Sequence, residues 1–359
     1  MINLEERNRK IIEAVISKAN AVCPGSLALI GINGSFMTGD YYEKSDLDLL
    51  ILINDDRGWQ LGCSMIQDDL QVGHDIYCTR WEDLQYDAKY EHPNISKLMD
   101  SEIVYCADEK YRERLYALRQ KAKNILEAPF SGEDYEKAEK GLREAEHCYA
   151  MAMLSDESSR VSEWVGGVVY YVENAIAMLN KEYFHYGVKR VYEELNAMKK
   201  RPEKFCDMIE HVVSAVSAVS VKEHLTILMK ETAAVFHQVK KTIPAEKKPI
   251  AADTIGGTYE EMYSNWRNKM YLAASTGNRH LAFMSLISAN VMFAEISSQV
   301  EIDEYDVLGC YNPEDLQQTA HAYDHILHTY LGEYRKGGVS ERRYSDIDAF
   351  VMDYLMNRQ

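Results

Sequence analysis

Two apolar runs, joined by a glycine–serine pair and two closely spaced aspartates, constrain this chain most strongly. Residues Leu29 to Ile53 read LIGINGSFMTGDYYEKSDLDLLILI. The runs at both ends are short, rich in Ile and Leu and bounded by turn residues, which is typical of buried strands. Gly34-Ser35 follows the first run, and Ser45-Asp46-Leu47-Asp48 opens the second. The pattern predicts two strands of one sheet with polar side chains gathered at the sheet edge.

Asp46 and Asp48 give this edge its chemistry. Successive side chains on a strand point to opposite faces, so the two carboxylates are expected to point the same way. Two carboxylates at that separation cannot both stay ionised cheaply without a cation. Mg²⁺ prefers a few carboxylates together with phosphate oxygens and water. A magnesium site is therefore expected here, although the same two aspartates taken alone would also suit a helix cap or a solvated turn.

The residues around the carboxylates suit a nucleotide. Gly34 lets the backbone turn and lets a phosphate approach its amide closely, and Ser35 can add a hydroxyl donor. Ser45 is grouped with them as a third nucleotide-binding residue. Asp75 lies among apolar residues in the strand-like run Val72–Cys78. It is the candidate third acid, either as a metal ligand or as the general base that activates an attacking hydroxyl.

The order G-S, nine residues, S-D-x-D and an acid on a later strand resembles the polymerase-β-like nucleotidyltransferase superfamily. Within it, the chain is most similar to the antibiotic nucleotidyltransferases that act on aminoglycosides or lincosamides. The resemblance covers residues 25–85. Gly39 agrees with the family pattern, whereas Met37 stands where the family often has a small residue.

The resemblance implies Mg²⁺-dependent transfer of a nucleoside monophosphate, with ATP as the expected NTP, to a hydroxyl group and a role in antibiotic resistance. Gly34 and Ser35 would bind the triphosphate. Asp46 and Asp48 would hold the metal, with Asp75 as the third carboxylate. Two other functions stay open: a transferase that modifies a protein partner, as an antitoxin does, and a non-catalytic relative that only binds nucleotide.

The sequence pattern changes from strand-like to helical after the first hundred residues or so. From Glu109 onward, apolar residues recur at helical spacing almost without interruption. The stretch Thr242–Thr258 (TIPAEKKPIAADTIGGT) combines prolines, glycines and charge and is the best linker candidate. The prediction is an α+β fold with a small mixed β-sheet. It has a nucleotidyltransferase domain at 1–108, a helical domain at 109–245 and a second helical subdomain at 246–359.

Apolar spacing also predicts individual elements. Helices are expected over Leu4–Val22, over Trp59–Leu70 and, as a single long helix, over Pro202–Lys241. Strands are expected over Leu27–Ile32 and Val72–Cys78.

Charge and composition narrow the classes of partner. The formal net charge is −17, whereas a protein that grips nucleic acid normally presents a basic surface. Nucleic acid is therefore not expected as a partner, and a small, cationic acceptor such as an aminoglycoside is favoured. No apolar run approaches the roughly 20 residues needed to cross a bilayer, and no secretion signal opens the chain. We expect a cytoplasmic protein without membrane contact, with a homodimer as one assembly.

Other motifs carry weaker expectations. Glu144 and Glu146 are candidates for a general base supplied by the helical domain, and the sequence does not choose between them. Ser345-Asp346-Ile347-Asp348 repeats the aspartate motif, but without an upstream glycine it predicts a helix N-cap. His321, His325 and His328 share one helical face with Asp324. This spacing can hold a metal, although a solvated face is the favoured interpretation.

Overall fold

The computed structural model describes residues 4–244 and 247–356. The strands are β1 (Leu27–Ile32), β2 (Leu49–Ile53), β3 (Cys63–Gln67), β4 (Val72–Ile76), β5 (Cys78–Arg80) and β6 (Glu102–Cys106). The helices are α1 (Leu4–Val22), α2 (Ser35–Thr38), α3 (Trp81–Asp87), α4 (Ser96–Asp100), α5 (Glu109–Glu127), α6 (Gly132–Leu154), α7 (Ser158–Asn180), α8 (Val191–Ala197), α9 (Phe205–Ser214), α10 (Ala218–Lys240), α11 (Ala252–Ile255), α12 (Thr258–Glu261), α13 (Asn268–Thr276), α14 (Arg279–Gln299), α15 (Leu316–Lys336) and α16 (Ile347–Met356). Short 3₁₀ segments lie at Asp56–Leu61, Val188–Arg190 and Leu308–Cys310, and a π-helical segment lies at Met262–Arg267.

The chain divides into two units, Met1–Ile243 and Pro244–Gln359. The boundary falls inside the predicted linker, where Pro244 and the following charged residues interrupt the helical pattern. The finer division into domains at 1–108, 109–245 and 246–359 stays a prediction.

The first unit is built on a four-stranded mixed sheet in the order β5-β2-β1-β6. β1 runs antiparallel to both β2 and β6, and β2 runs parallel to β5. Helices of the same unit follow this sheet, so the predicted α+β fold with a small mixed sheet is confirmed.

The central strands β1 and β2 are buried on both faces, which explains why β2 is apolar throughout. Ile51 and Ile53 pack in a cluster with Val15 of α1. Leu50 and Leu52, which alternate with them, belong to the large core shared with the helices from α3 to α10. A continuous apolar run is the expected signature of a strand covered on both sides.

The segment predicted as a helix over Trp59–Leu70 is not one. A 3₁₀ turn ends at Gly62, and β3 follows and pairs antiparallel with β4 as a separate two-stranded sheet. Gln71 closes this hairpin with φ 53°. The apolar residues of β3 are exposed in the structure, whereas Leu61 before it is buried, so the apolar residues of this segment do not share one buried face.

Two further elements are interrupted. The predicted strand Val72–Cys78 breaks at Tyr77, so that β4 pairs with β3 while β5 pairs with β2. The predicted single helix Pro202–Lys241 breaks after Ser214. Its second part begins anew because the Ser217 hydroxyl accepts a hydrogen bond from the Ser220 amide at 3.1 Å, the usual role of a serine N-cap.

The second unit has a core rich in tyrosines, two of which have hydrogen-bonded hydroxyl groups, whereas the buried Tyr323 hydroxyl has no partner among the described residues. Tyr330 and Tyr334 of α15 are almost fully buried. The Tyr330 hydroxyl lies 2.6 Å from the Thr258 hydroxyl, and the Tyr334 hydroxyl accepts a hydrogen bond from the Gly257 amide at 2.7 Å. Buried tyrosines of this kind supply large apolar area, with the polar tip bonded at a helix end.

Two helices of the second unit expose apolar surface. Contrary to the sequence expectation, α14 is long and apolar enough to cross a bilayer by length and composition alone. One of its faces nevertheless packs in the unit, where Leu286, Ala289 and Phe293 are buried. α16 buries none of its residues.

The weaker motifs of this unit have structural explanations. Asp346 accepts a hydrogen bond from the Ala349 amide at 2.9 Å, which confirms the N-cap. Asp324 is bound by the Arg267 guanidinium and accepts a hydrogen bond from the Tyr271 hydroxyl at 3.1 Å. The carboxylate beside the three histidines is therefore already partnered.

Candidate active site

Gly34 connects the end of β1 to the single-turn helix α2. It adopts φ 67° and ψ −146°, a conformation that is open essentially to glycine alone. A Cβ atom placed on Gly34 would lie 2.0 Å from Oδ2 of Asp48. The carboxylate of Asp48 is thus packed against the backbone of Gly34, and the absence of a side chain there makes this approach feasible. The glycine and the aspartate, distant in sequence, form one local arrangement.

Asp46 and Asp48 point the same way, as the strand period predicts. Ser45, Leu47 and Leu49 are buried, whereas Asp46 and Asp48, which alternate with them, are partly exposed. The Asn33 amide donates to the Asp48 carbonyl at 3.0 Å, which extends the pairing of β1 with β2 beyond the strand ends. The backbone on both sides of the carboxylate pair is therefore fixed by the sheet.

The two carboxylates influence each other. Burial raises the pKa of Asp48 above its ordinary value, and the neighbouring charge of Asp46 raises it further. Lys97 and Lys189 act in the opposite direction. Within residues 4–244 and 247–356, neither carboxylate takes part in a hydrogen bond or an ion pair. The two carboxylates thus lie close together without a positive charge in direct contact, and a bound cation would relieve the repulsion between them.

Arg7 of α1 holds the chain that carries Asp46. Its Nη2 atom donates to the Ser45 carbonyl at 2.8 Å and to Asn8 Oδ1 at 2.9 Å. The guanidinium is buried and lies 5.9 Å from the centre of the Phe36 ring. Its Nη1 atom is buried without a hydrogen-bond partner. A buried cation that interacts with Asp46 makes this arginine part of the site, although it was not predicted from the sequence.

Ser45 has a different environment from the triphosphate contact that was predicted. Its side chain is buried, and its hydroxyl accepts a hydrogen bond from the Tyr42 amide at 3.0 Å. The Ser45 amide in turn donates to the Tyr42 carbonyl at 2.9 Å. The serine closes the turn that leads into Asp46 and faces the interior.

Asp75 is not brought together with the other two aspartates. It is exposed on β4, and its Oδ1 atom accepts a hydrogen bond from the Ser64 hydroxyl at 2.6 Å. The preceding residue, His74, is buried on the opposite face of the hairpin. Burial lowers the pKa of His74, Arg7 lowers it further, and Asp46 opposes both effects. The strand alternation therefore presents a histidine to the site where the sequence predicted the third acid.

The described part of the chain contains no group of three or more His, Cys, Asp or Glu side chains arranged to hold a metal. Asp75 is therefore not grouped with Asp46 and Asp48 in the structure, and the assignment of the three aspartates as metal ligands stays a prediction. Asp46 and Asp48 remain as the oxygen donors, and Mg²⁺ sites commonly use one or two carboxylates with phosphate and water oxygens in the other positions.

Basic side chains reach the site from the helical part of the same unit. The charge of Lys189, in the 3₁₀ segment before α8, opposes the rise of the Asp48 pKa. It also adds to the hydrogen bond from Thr38, which is the main cause of the lowered pKa of Asp40. The Lys189 Nζ atom lies 5.2 Å from the centre of the Tyr42 ring. Arg190 adds a second positive charge near Asp40. These residues lie far from the aspartate motif in the sequence, so no local pattern could have identified them.

Glu144 and Glu146, the two candidates for a general base, are both exposed on α6. Glu144 lines a cavity of about 200 Å³ together with Tyr170 and Asn174 of α7. Glu146 does not line that cavity. The structure thus distinguishes the two glutamates by position, and a role for either one stays a prediction.

No family model and no curated protein matches the chain. Among solved structures, it is similar to the crystal structure of a nucleotidyltransferase-like protein from Exiguobacterium sibiricum 255-15, with 9% sequence identity and a TM-score of 0.35. The superposition covers 77% of this chain and 92% of the other. A likeness at this level carries no argument about activity, so the function is inferred from the geometry of the site.

Proposed function

We propose that the unit Met1–Ile243 transfers a nucleoside monophosphate from an NTP, with ATP as the expected donor, to a hydroxyl group of a small molecule. The observation that carries this proposal is the carboxylate pair Asp46 and Asp48. Both side chains stand on one face at the end of β2, neither has a partner in the described chain, and Asp48 is packed on Gly34.

The donor set fits a hard divalent cation, because two unpartnered carboxylates on one face offer oxygen atoms and negative charge. Asp46 and Asp48 would hold Mg²⁺. When bound, the ion supplies neutralisation of the charge on the triphosphate and on the departing pyrophosphate.

The remaining work falls to the protein's own side chains. Lys97 and Lys189 contribute positive charge on the side of the carboxylates, where a triphosphate would lie. Gly34 and Ser35 would contact its phosphates, with the space next to Gly34 kept open by the missing side chain. Arg7 holds the turn at Ser45, so that Asp46 is fixed before any ligand arrives. Positioning and fixed charge are the main means by which proteins accelerate phosphoryl transfer.

The test is pyrophosphate release from each NTP with Mg²⁺, across a panel of aminoglycosides and lincosamides. Asp48→Asn should abolish release. It should also leave the free energy of unfolding equal or higher, because it removes a charge whose burial is unfavourable. Asp69→Asn, an exposed residue with the same charge change, is the matched control and should behave as the original protein. Near-native release by the Asp48 variant would show that the site assignment is wrong.

A protein acceptor is the second candidate, favoured by the exposed apolar helix α16. In this case, α-labelled ATP would transfer its label to a polypeptide and to no member of the small-molecule panel. The label should disappear with Asp48→Asn. NTP binding without any transfer would instead favour a non-catalytic nucleotide-binding protein.

A further inference from the structure

A groove runs along the outer face of α7 in the first unit. Val165, Val168 and Val172 of this helix are buried in the core. The outer face carries Gly166, Val169, Tyr170 and Glu173, which are spaced as neighbours on one side of a helix. A cavity of about 620 Å³ and a second of about 390 Å³ share Val169, Tyr170 and Glu173 in their walls. Each of the two volumes is within the range of pockets that bind small organic molecules.

The larger cavity is connected to the candidate active site through one basic side chain. Its wall includes Lys189 and Arg190, and Lys189 is one of the two lysines whose charge acts on the pKa of Asp48. The same cavity extends to Tyr192 of α8 and to Glu173 of α7. A molecule lying in it would therefore be within reach of both Glu173 and the basic residues near the carboxylate pair.

Glu173 is a carboxylate without a partner. Within residues 4–244 and 247–356, it takes part in no hydrogen bond and no ion pair. The charge of Glu173 acts on the Tyr192 hydroxyl and the Cys206 thiol, whose pKa values are both raised, mainly by burial. The Tyr192 hydroxyl donates to Glu210 at 3.4 Å, so it is not bonded to Glu173. Both groups are uncharged at neutral pH and cannot neutralise a carboxylate. Burial alone raises the pKa of Glu173 to about 7, with no basic side chain opposing it.

A half-buried acid without a counterion is costly to a folded protein, and such groups are usually paired when they serve only stability. The missing partner at this position is a positive charge. Tyr170 and Tyr192 flank the carboxylate with flat rings that suit contact with a saturated or aromatic ring. Arg190 is paired with Glu193 in the wall of the same cavity. Lys189 has no ion-pair partner within residues 4–244 and 247–356, so it would disfavour a second cationic group beside it, which gives the groove a direction.

We propose that this groove is the acceptor subsite of the transferase, and that Glu173 binds a protonated amine carried by a ring-shaped acceptor whose hydroxyl group points toward Asp46 and Asp48. That the bound molecule is an acceptor rests on the proposed function. The amine-binding site itself does not depend on that function. Charge pairing across a half-buried contact makes Glu173 a specificity residue, because an uncharged analogue leaves its carboxylate unpaired.

The experiment measures binding by calorimetry without NTP or metal, so that it is independent of transfer. The probes are neamine, a ring compound with several amino groups, and its fully N-acetylated derivative. Glu173→Gln should weaken neamine binding about tenfold or more, the usual range for a lost bond to a charged group. Glu163→Gln, an exposed acid on the same helix and outside both cavities, has the same net charge and should stay within about twofold of the original affinity.

N-acetylation should reduce binding to the original protein, and the loss should be much smaller in Glu173→Gln. The assignment is overturned if neamine does not bind at about 1 mM, the upper range of ordinary substrate constants, or if both glutamine variants weaken it equally. It is also overturned if Glu173→Gln keeps full neamine affinity and lowers only the transfer rate, since that result would describe a general base. If amine binding depends on Glu173 but the protein releases no pyrophosphate, the amine-binding site is supported and the proposed transferase activity is refuted.

Discussion

Replacing Gly34 by alanine tests the central arrangement of the site. The new Cβ atom would stand 2.0 Å from Asp48 Oδ2, so the carboxylate must retreat by about 1.4 Å to reach an ordinary contact of 3.4 Å. A displacement of about 1 Å at a reacting centre can lower a rate about 100-fold. The backbone at φ 67° and ψ −146° adds a strain of about 1–3 kcal/mol for any residue with a side chain. Both effects act at the carboxylate pair.

Gly39→Ala is the matched control. Gly39 also has a positive φ, 78°, but a Cβ atom on it would meet nothing within 4 Å. It should cost about 1–2 kcal/mol of stability through backbone strain alone and leave Asp48 in place. The comparison therefore separates the strain of a turn from the displacement of a metal ligand.

The assays are Mn²⁺ titration by calorimetry, urea unfolding and pyrophosphate release with whichever NTP the original protein uses. Both variants should lose stability, while only Gly34→Ala should lose Mn²⁺ affinity and transfer, by about 100-fold for the latter. If Gly34→Ala and Gly39→Ala retained equal Mn²⁺ affinity, the packing of Asp48 on Gly34 would have no bearing on the metal site, and the reasoning would fail.

Three other predictions follow from the same region and from the groove. Arg7→Lys breaks the bond to the Ser45 carbonyl and should lower the free energy of unfolding by about 1–3 kcal/mol, with weaker Mn²⁺ binding in the same titration. Asp75→Asn should leave Mn²⁺ affinity unchanged, because the Asp75 carboxylate bonds to the neighbouring strand; a loss as large as that of Asp48→Asn would reinstate it as the third ligand. The folded-state pKa of Glu173, about 7, lies above the ordinary 4.5, so the folded chain holds this proton more tightly. Its contribution to stability should therefore fall as pH rises from about 4.5 to about 7, and urea unfolding of Glu173→Gln should lack that slope.

The elements with a single strong signal were predictable from the sequence. Helix Leu4–Val22 and strand Leu27–Ile32 have the bounds that apolar spacing indicates. The common orientation of Asp46 and Asp48 also follows from the strand period alone. In each case the determining contacts are local, so a short window of sequence contains the information.

The parts that failed depend on pairing between distant segments. His74 is buried and Asp75 is exposed because of how β4 pairs with β3. β3 was not predicted, because it lies in the segment that was expected to be a helix. The contribution of Lys189 requires the helical part to fold back toward the sheet. The burial of Arg7 was not predictable from its position in α1, since a charged residue in an amphipathic helix normally faces solvent. Tertiary packing decides all three, and the local pattern does not record it.

The separate hairpin of β3 and β4 has a consequence for motion. Two strands alone are marginally stable in water. This pair buries the side chains of Val72 and His74 and packs Ile76 against the core beside β1 and β2. Its amide hydrogens should therefore exchange with solvent through local opening, well before those of β1 and β2, which open only with the whole unit. Each opening would expose the guanidinium of Arg7 to water, so the rigidity of the turn that carries Asp46 is coupled to how often this hairpin detaches.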